Sequence, residues 1–360
     1  MSIKAAAEIR KKIRNSEVEA LFVSSEANVR YLSGFTGAES YLMICDGGQY
    51  IITDGRYTEQ AAEQCPDYEI INWDNDNPYQ KKAVKLAADN QVHKLGFEKE
   101  SLTYKKYEKI KSEAQKEEIT LIPEEGLVEE LRYTKSESEI AKIKKAAELA
   151  DRAFSSFLDF IKPGLTEREA ALELEYLLRK LGAEGIGSII ILVSGTRTSL
   201  PHGEPSDKQI EQGDLITLDF GGKYQGYVSD MTRTFVLGQA DQKQKKIYRA
   251  VREAQKTGLE VLTSGLSGKK ADSEVRKVLD KYDLEDRFAH GLGHGLGLEI
   301  HEKPFMGPKC SEQLKEGCVV TVEPGVYIPG WGGVRIEDTV VIGKKGAARL
   351  TESKKELLEI

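Results

Sequence analysis

Two stretches of the chain match each other residue by residue in character. Gly213-Asp-Leu-Ile-Thr-Leu-Asp-Phe-Gly221 and Gly317-Cys-Val-Val-Thr-Val-Glu-Pro-Gly325 both read Gly, any residue, two aliphatics, Thr, an aliphatic, an acid, any residue, Gly. Each is followed by a second acid-x-Thr unit, Asp230-Met-Thr232 and Glu337-Asp-Thr339. Upstream, Gly164-Leu-Thr166 and Gly265-Leu-Ser267 each lie between two helical patterns. Residues from about 136 to 345 therefore predict two related halves, each with two helices and a pair of strands bearing two acids. Two copies are too few for a solenoid, so the expectation is one domain with a pseudo-two-fold axis. A site on that axis draws carboxylates from both halves.

Acids in apolar strands need a counter-charge, because an unpaired buried carboxylate is very costly. Asp219 follows Leu215-Ile-Thr-Leu218 and Asp230 precedes Met231-Thr-Arg-Thr-Phe-Val236. A turn centred on Tyr224-Gln225 makes the two aspartates direct cross-strand neighbours, roughly 5 Å apart at Cβ. Glu323 after Val319-Val-Thr-Val322 and Glu337 ahead of Thr339-Val-Val-Ile342 repeat the problem. Arg233 and Arg335 are the only basic residues on these strands. Divalent metal is the better counter-charge, and four carboxylates match two dications.

The remaining sequence bounds the class. Of 360 residues, 39% are hydrophobic, enough for a sizeable core and for two domains. The net charge of −7 comes from interspersed Lys and Glu, so no face is built for nucleic acid. The first ten residues carry no apolar signal region, and the run Ile189–Val193 is far too short to span a membrane, which predicts a cytoplasmic protein. Cys45, Cys65, Cys310 and Cys318 form no Cys-x-x-Cys pair and read as reduced thiols.

The first third alternates strands (Ala20–Val23, Ser40–Cys45, Gln49–Thr53, Lys94–Phe97, Ile119–Ile122) with helices (Asn28–Leu32, Tyr79–Ala88, Tyr104–Lys116), an α/β pattern of its own. Asp46-Gly-Gly48 is a hairpin signal, and Ser136-Glu-Ser-Glu139 is a capping box opening a long helix. The expected division is 1–125, a connection at 126–135, and 136–360.

Three of the chain's five histidines fall in His290-Gly-Leu-Gly-His-Gly-Leu-Gly-Leu-Glu-Ile-His-Glu302. The alternating glycines fit neither a dinucleotide fingerprint nor a phosphate loop. Glycine at every second position disfavours a helix by roughly 1 kcal/mol at each. Extended, the segment offers one glycine-only side for close approach of backbone or ligand, and His290, Leu292, His294 and Leu296 on the other. Residue chemistry alone does not choose which histidine ligates.

These motifs, with His202 in Leu200-Pro-His-Gly203, Val322-Glu-Pro-Gly325 and Gly333-Val-Arg-Ile-Glu-Asp338, resemble the pita-bread metallopeptidases, specifically their Xaa-Pro branch of dipeptidases (prolidases) and aminopeptidases P. Asn28-Val-Arg-Tyr-Leu-Ser-Gly34 and Thr53-Asp-Gly-Arg-Tyr57 resemble that branch's creatinase-type N-terminal α/β domain. The resemblance implies an α/β (α+β) protein with a C-terminal pita-bread domain. It implies metal ligands Asp219, Asp230, His294, Glu323 and Glu337, with Asp230 and Glu337 bridging two ions, Mn or Co ahead of Zn or Fe. It also implies hydrolysis of the bond preceding proline in small peptides. Glu323 then shuttles the proton and His202 or His301 assists the oxyanion; His202, His290, His301, Tyr327 and Arg335 contact substrate or orient the site. A homodimer is expected by the same resemblance.

Where many of the family's dipeptidases carry a basic residue after His-Glu-x-Pro, this chain has Phe305-Met306. Aminopeptidase P activity is the alternative. Methionyl aminopeptidase, which usually lacks the N-terminal domain and a histidine at position 290, and a non-catalytic binding module, which typically loses ligands, stand further off.

Overall fold

The structure, a computed structural model, describes residues 2–187 and 189–360. The chain divides into two compact units, Met1–Arg132 and Tyr133–Ile360.

The first unit is built on a six-stranded sheet in the order Glu69–Trp73, Gly48–Asp54, Tyr41–Cys45, Ala20–Val23, Lys94–Glu98, Thr120–Glu124. Tyr41–Cys45 runs antiparallel to both its neighbours, and the other pairings are parallel. Period-two alternation divides the sheet's apolar residues between two faces. Ala20, Phe22 and Met43 pack with the helices Tyr79–Asp89 and Tyr104–Lys116, whereas Leu21, Val23 and Leu42 pack with Ser2–Arg14 and Glu26–Ser33. The Asp46-Gly-Gly48 signal closes the expected hairpin, with Cys45 opposite Gly48. The helix Ser2–Arg14, the helix Thr58–Gln64 and the strand Glu69–Trp73 are elements that the sequence reading did not name.

In the second unit the duplication is visible in the backbone. Glu137–Leu158 and Glu167–Lys180 form the first helix pair, and Gln242–Val261 and Gly268–Asp280 the second. Ser136 and Glu139 form the expected capping box of the first helix. Gly164 and Gly265 both turn the chain with φ near 90°, at 90° and 88°. Thr166 and Ser267 then cap the following helices through their hydroxyls.

Each helix pair covers strands. Leu215–Phe220 lies between Ile191–Ser194 and Met231–Val236, and Val319–Val322 lies between Gly293–Gly295 and Asp338–Gly343. The buried sides of the two helix pairs contribute to separate apolar cores, one around Phe154, Leu174 and Phe235, the other around Val251, Val275 and Val320.

One expected register is corrected. Asp219 lies opposite Thr232, not Asp230, because the strands turn about Gln225-Gly226 rather than Tyr224-Gln225. Both turn residues have positive φ, 47° and 81°, the two-residue geometry that matches strand twist. The centre moves by one residue and each partner by two. Side chains two apart share a face, so Asp219 and Asp230 remain neighbours, now diagonal.

Candidate metal centre and its pocket

The four acids sit where strands begin or end. Asp219 is within Leu215–Phe220, Asp230 immediately precedes Met231–Val236, Glu323 follows Val319–Val322, and Glu337 precedes Asp338–Gly343. The two acid-x-Thr units hold one another across the halves. Thr232 Oγ1 donates to Glu337 Oε2 at 2.7 Å, and the Glu337 amide donates to Thr232 O at 3.1 Å. Reciprocally, Thr339 Oγ1 donates to Asp230 O at 2.7 Å and accepts from the Asp230 amide at 3.2 Å. Thr321 serves Glu323 and His294 together, donating to Glu323 Oε1 and accepting the His294 amide, both at 3.1 Å. These threonines had no assigned role in the sequence reading, although the repeated acid-x-Thr spacing was the signal.

His294 is buried on the strand Gly293–Gly295. Its Nδ1 lies 3.1 Å from Gly295 O, a carbonyl that can only accept, so Nδ1 carries the proton and Nε2 presents a lone pair. That lone pair faces Glu323 Oε1 at 3.4 Å and Asp230 Oδ2 at 3.6 Å. Burial, with His301 beside it, pulls the imidazole down to about 4, so it stays neutral near pH 7. His294 thus brings no proton to these contacts and leaves a lone pair pointing at two acids.

Burial, then the neighbouring acids, pushes Asp230 and Glu337 well above the usual carboxylate range. Burial lifts Glu323 to about 8. Asp230 Oδ1 is buried without a hydrogen-bond partner among the described residues. Asp230, His294 and Glu337 each offer a ligand atom, all within 4.8 Å of one another. A cation satisfies every one of these features, so the donor set fits a divalent metal.

Arginine also enters the cluster beside the expected metal donors. Arg335 Nη2 donates to Asp219 Oδ2 at 2.5 Å. Its other donors reach Tyr327 Oη at 2.9 Å, Thr232 Oγ1 at 3.0 Å and Pro201 O at 3.1 Å. Arg233 points elsewhere, pairing with Asp338 at 2.7 Å. Tyr327 relays the contact: His290 Nδ1 donates to Gly291 O at 2.8 Å, leaving Nε2 to accept from Tyr327 Oη, also at 2.8 Å. Burial lowers His290 to about 4, which keeps that tautomer neutral.

His301 stacks edge-on against His294 with ring centroids 4.4 Å apart. Beside it runs a buried ion pair, Lys135 Nζ to Glu302 Oε2 at 3.1 Å. Glu302 Oε1 also accepts the amides of Leu298 and Glu299 at 2.9 and 3.0 Å, tying down the loop that delivers His301. The alternating glycines give the clearance expected of them, although only Gly293–Gly295 is strand. A Cβ on Gly293 would lie 2.2 Å from Thr321 O, and one on Gly297 2.9 Å from the Glu302 carboxylate.

Asp219, Asp230, His202, His290, His294, His301, Glu323, Arg335 and Glu337 all line one cavity of about 680 Å³. Tyr327 stands behind it through His290 and Arg335. Ile189, Ile191, Ile300, Phe305 and Met306 supply an apolar wall. The arrangement can bind cations, polarise a carbonyl and move protons beside an apolar side chain.

Known proteins share this organisation. The model of metallopeptidase family M24 matches residues 141–344, and that of the creatinase/prolidase N-terminal domain matches residues 6–134. An Xaa-Pro dipeptidase of Pyrococcus furiosus is 40% identical over 95% of this chain and 96% of its own. The solved Xaa-Pro dipeptidase from Bacillus anthracis superposes with a TM-score of 0.96 at 40% identity, covering 99% of each chain. An X-Pro aminopeptidase from Thermotoga maritima does so with a TM-score of 0.90 at 35% identity, covering 97% of this chain and all of that one.

Proposed function

The chain belongs to metallopeptidase family M24 and carries a creatinase/prolidase N-terminal domain, and from that premise we propose that it is an Xaa-Pro dipeptidase, hydrolysing the peptide bond preceding proline. The observation that carries this reading is the neutral His294 Nε2 facing two carboxylates across 3.4 and 3.6 Å beside an apolar cavity wall. Asp219, Asp230, His294, Glu323 and Glu337 would hold two divalent ions, which when bound would supply Lewis acidity toward the scissile carbonyl and acidify water. The oxygen-rich set with one imidazole suits Mn, with Co, Fe and Zn also accommodated, and the family resemblance favours Mn or Co.

The chain's own groups do the rest. Glu323 accepts a proton from the attacking water and returns it to the proline nitrogen, a secondary amine once released. His301 or His202 donates to the developing oxyanion. Tyr327 holds the neutral His290 oriented toward substrate. Arg335 fixes Asp219 and Tyr327 in one geometry. The working division assigns 1–125 to the N-terminal domain, 126–135 to the connection and 136–360 to catalysis. A homodimer, tested by light scattering, and a cytoplasmic setting, supported by four free thiols, complete the proposal.

Release of the first residue from longer Xaa-Pro peptides is the second reading, supported by similarity to the Thermotoga maritima X-Pro aminopeptidase. One experiment separates them: metal-loaded protein is offered Xaa-Pro, Xaa-Pro-Yaa and Met-Ala-Yaa peptides. Preferential cleavage of Xaa-Pro supports the dipeptidase, and preference for Xaa-Pro-Yaa selects the aminopeptidase. Cleavage of none, while an Asp219→Asn variant still binds two metals, sinks both.

A further inference from the structure

Apart from the histidines, two cationic side chains line the cavity, Arg335 and Lys309. They differ in what they have left to give. Arg335 is buried and committed to Asp219, Tyr327, Thr232 and Pro201. Lys309 is exposed and makes no ion pair or hydrogen bond among the described residues. Its loop is nonetheless fixed, since the Cys310 amide donates to Gly307 O at 3.0 Å and Cys310 O accepts from the Lys269 amide at 2.6 Å. The ammonium therefore springs from an anchored backbone on the rim of a cavity whose wall is largely apolar.

Substrate chemistry supplies the partner, on the reading that this is an Xaa-Pro hydrolase. A dipeptide ending in proline carries a free carboxylate on the residue that leaves, so that charge enters a cavity whose wall is largely apolar. Without a cation near it, the carboxylate loses its water with nothing in exchange. In a longer peptide the same position is a neutral amide and the carboxylate lies further out. We propose that Lys309 is the anchor for the dipeptide's C-terminal carboxylate, and so a residue that sets preference for dipeptides over longer chains.

The test compares kcat and KM for Xaa-Pro and its C-terminal amide with metal-loaded wild-type, Lys309→Met, Lys309→Arg and Lys309→Glu proteins. Wild type prefers the acid. Lys309→Met collapses that preference by roughly two- to fivefold, the scale of one exposed charge pair, and does so through KM rather than kcat. Lys309→Arg restores the preference and Lys309→Glu reverses it. Added salt erodes the wild-type preference and leaves that of Lys309→Met unmoved. An acid-to-amide ratio that is the same in wild type and Lys309→Met overturns the anchor while leaving Xaa-Pro hydrolysis standing. Wild type that cleaves neither substrate removes the Xaa-Pro reading and the anchor with it.

Discussion

The two halves of the second unit share their scaffolding and diverge where the chemistry lies. The Gly164 amide donates to Ile210 O at 2.9 Å, and the Gly265 amide to Leu314 O at 2.8 Å. Thr166 bridges Gln209 as Ser267 bridges Gln313. At the acids the likeness loosens. The first half is a hairpin interrupted around Gly221 and Ser229-Asp230, with Asp219 still inside the ladder opposite Thr232. In the second, the ladder ends at Val322 opposite Asp338, and the next residues, Glu323 and Pro324, leave it. Pro324 has no amide to offer the ladder, and the chain runs on into a tip hairpin, Gly325–Ile328 with Gly332–Arg335, longer than its first-half counterpart Gly222–Tyr224 with Tyr227–Val228, before returning. That excursion delivers Arg335 and Tyr327 to the cluster. An approximate two-fold axis thus collects four acids, while its imperfection supplies the groups that distinguish them.

The comparison breaks most completely at Asp230, whose carboxylate faces His294 and whose backbone is gripped by the other half. Asp230→Asn should lower kcat/KM about 10³-fold or more, the scale of losing electrostatic stabilisation of developing charge, with less metal retained by mass spectrometry. Near-normal metal content and activity would remove Asp230 from the site.

Lys135 tests an asymmetry of a different kind. It precedes the first half, donates its amide to Gly317 O at 2.9 Å, and pairs with Glu302 in the second half. Breaking a buried pair from one side leaves an uncompensated charge, so Lys135→Met should cost about 3 kcal/mol of stability. Lys135→Met with Glu302→Gln should recover part of that loss in denaturant melts. Equal losses in the single and double variants would show that the charge pairing is not what matters.

Proton and metal compete for the same oxygens, which sets a pH signature. Burial raises Asp230 and Glu337, and takes Glu323 to about 8. A carboxyl whose folded pKa is raised contributes stability in acid that is lost as pH climbs from its unfolded value, about 4.3, through the folded one. Chelated protein should therefore melt several degrees lower at about pH 8 than at about pH 5, and added metal should reverse the loss. A chelated melting temperature that is flat across this range contradicts the assigned environment.

Much of this was legible in the residues, for identifiable reasons. The repeated Gly-x-aliphatic-aliphatic-Thr-aliphatic-acid pattern located Asp219 and Glu323, and the acid-x-Thr units that follow it located Asp230 and Glu337, because burying a carboxylate forces company on it. The glycine alternation announced close approach, and Gly293 against Thr321 O is such a contact. The register of Asp219 was not legible, since it turns on which two residues adopt positive φ, and Gln225 does not advertise that conformation. Arg335 was visible as a cation but not as the partner of Asp219, because the contact spans 116 positions and depends on the longer tip hairpin of the second half. The Lys135 to Glu302 clamp, separated by 167 positions, left no local signal at all.

The smallest expected effect probes that register directly. Gln225 holds φ 47° at the first central position of its turn, where a side chain beyond Asn or Gly is disfavoured. Gln225→Asn creates the Asn-Gly pair preferred by such turns and should stabilise the fold by about 0.5 kcal/mol, read as a shift in denaturant midpoint at constant slope. Gln225 is exposed, so lost packing does not obscure the result. Gln225→Val should move the midpoint the other way, because a β-branched residue is least at home at positive φ. If both variants leave the midpoint unchanged, the turn is not centred on Gln225-Gly226, and the diagonal placement of Asp219 and Asp230 loses its cause.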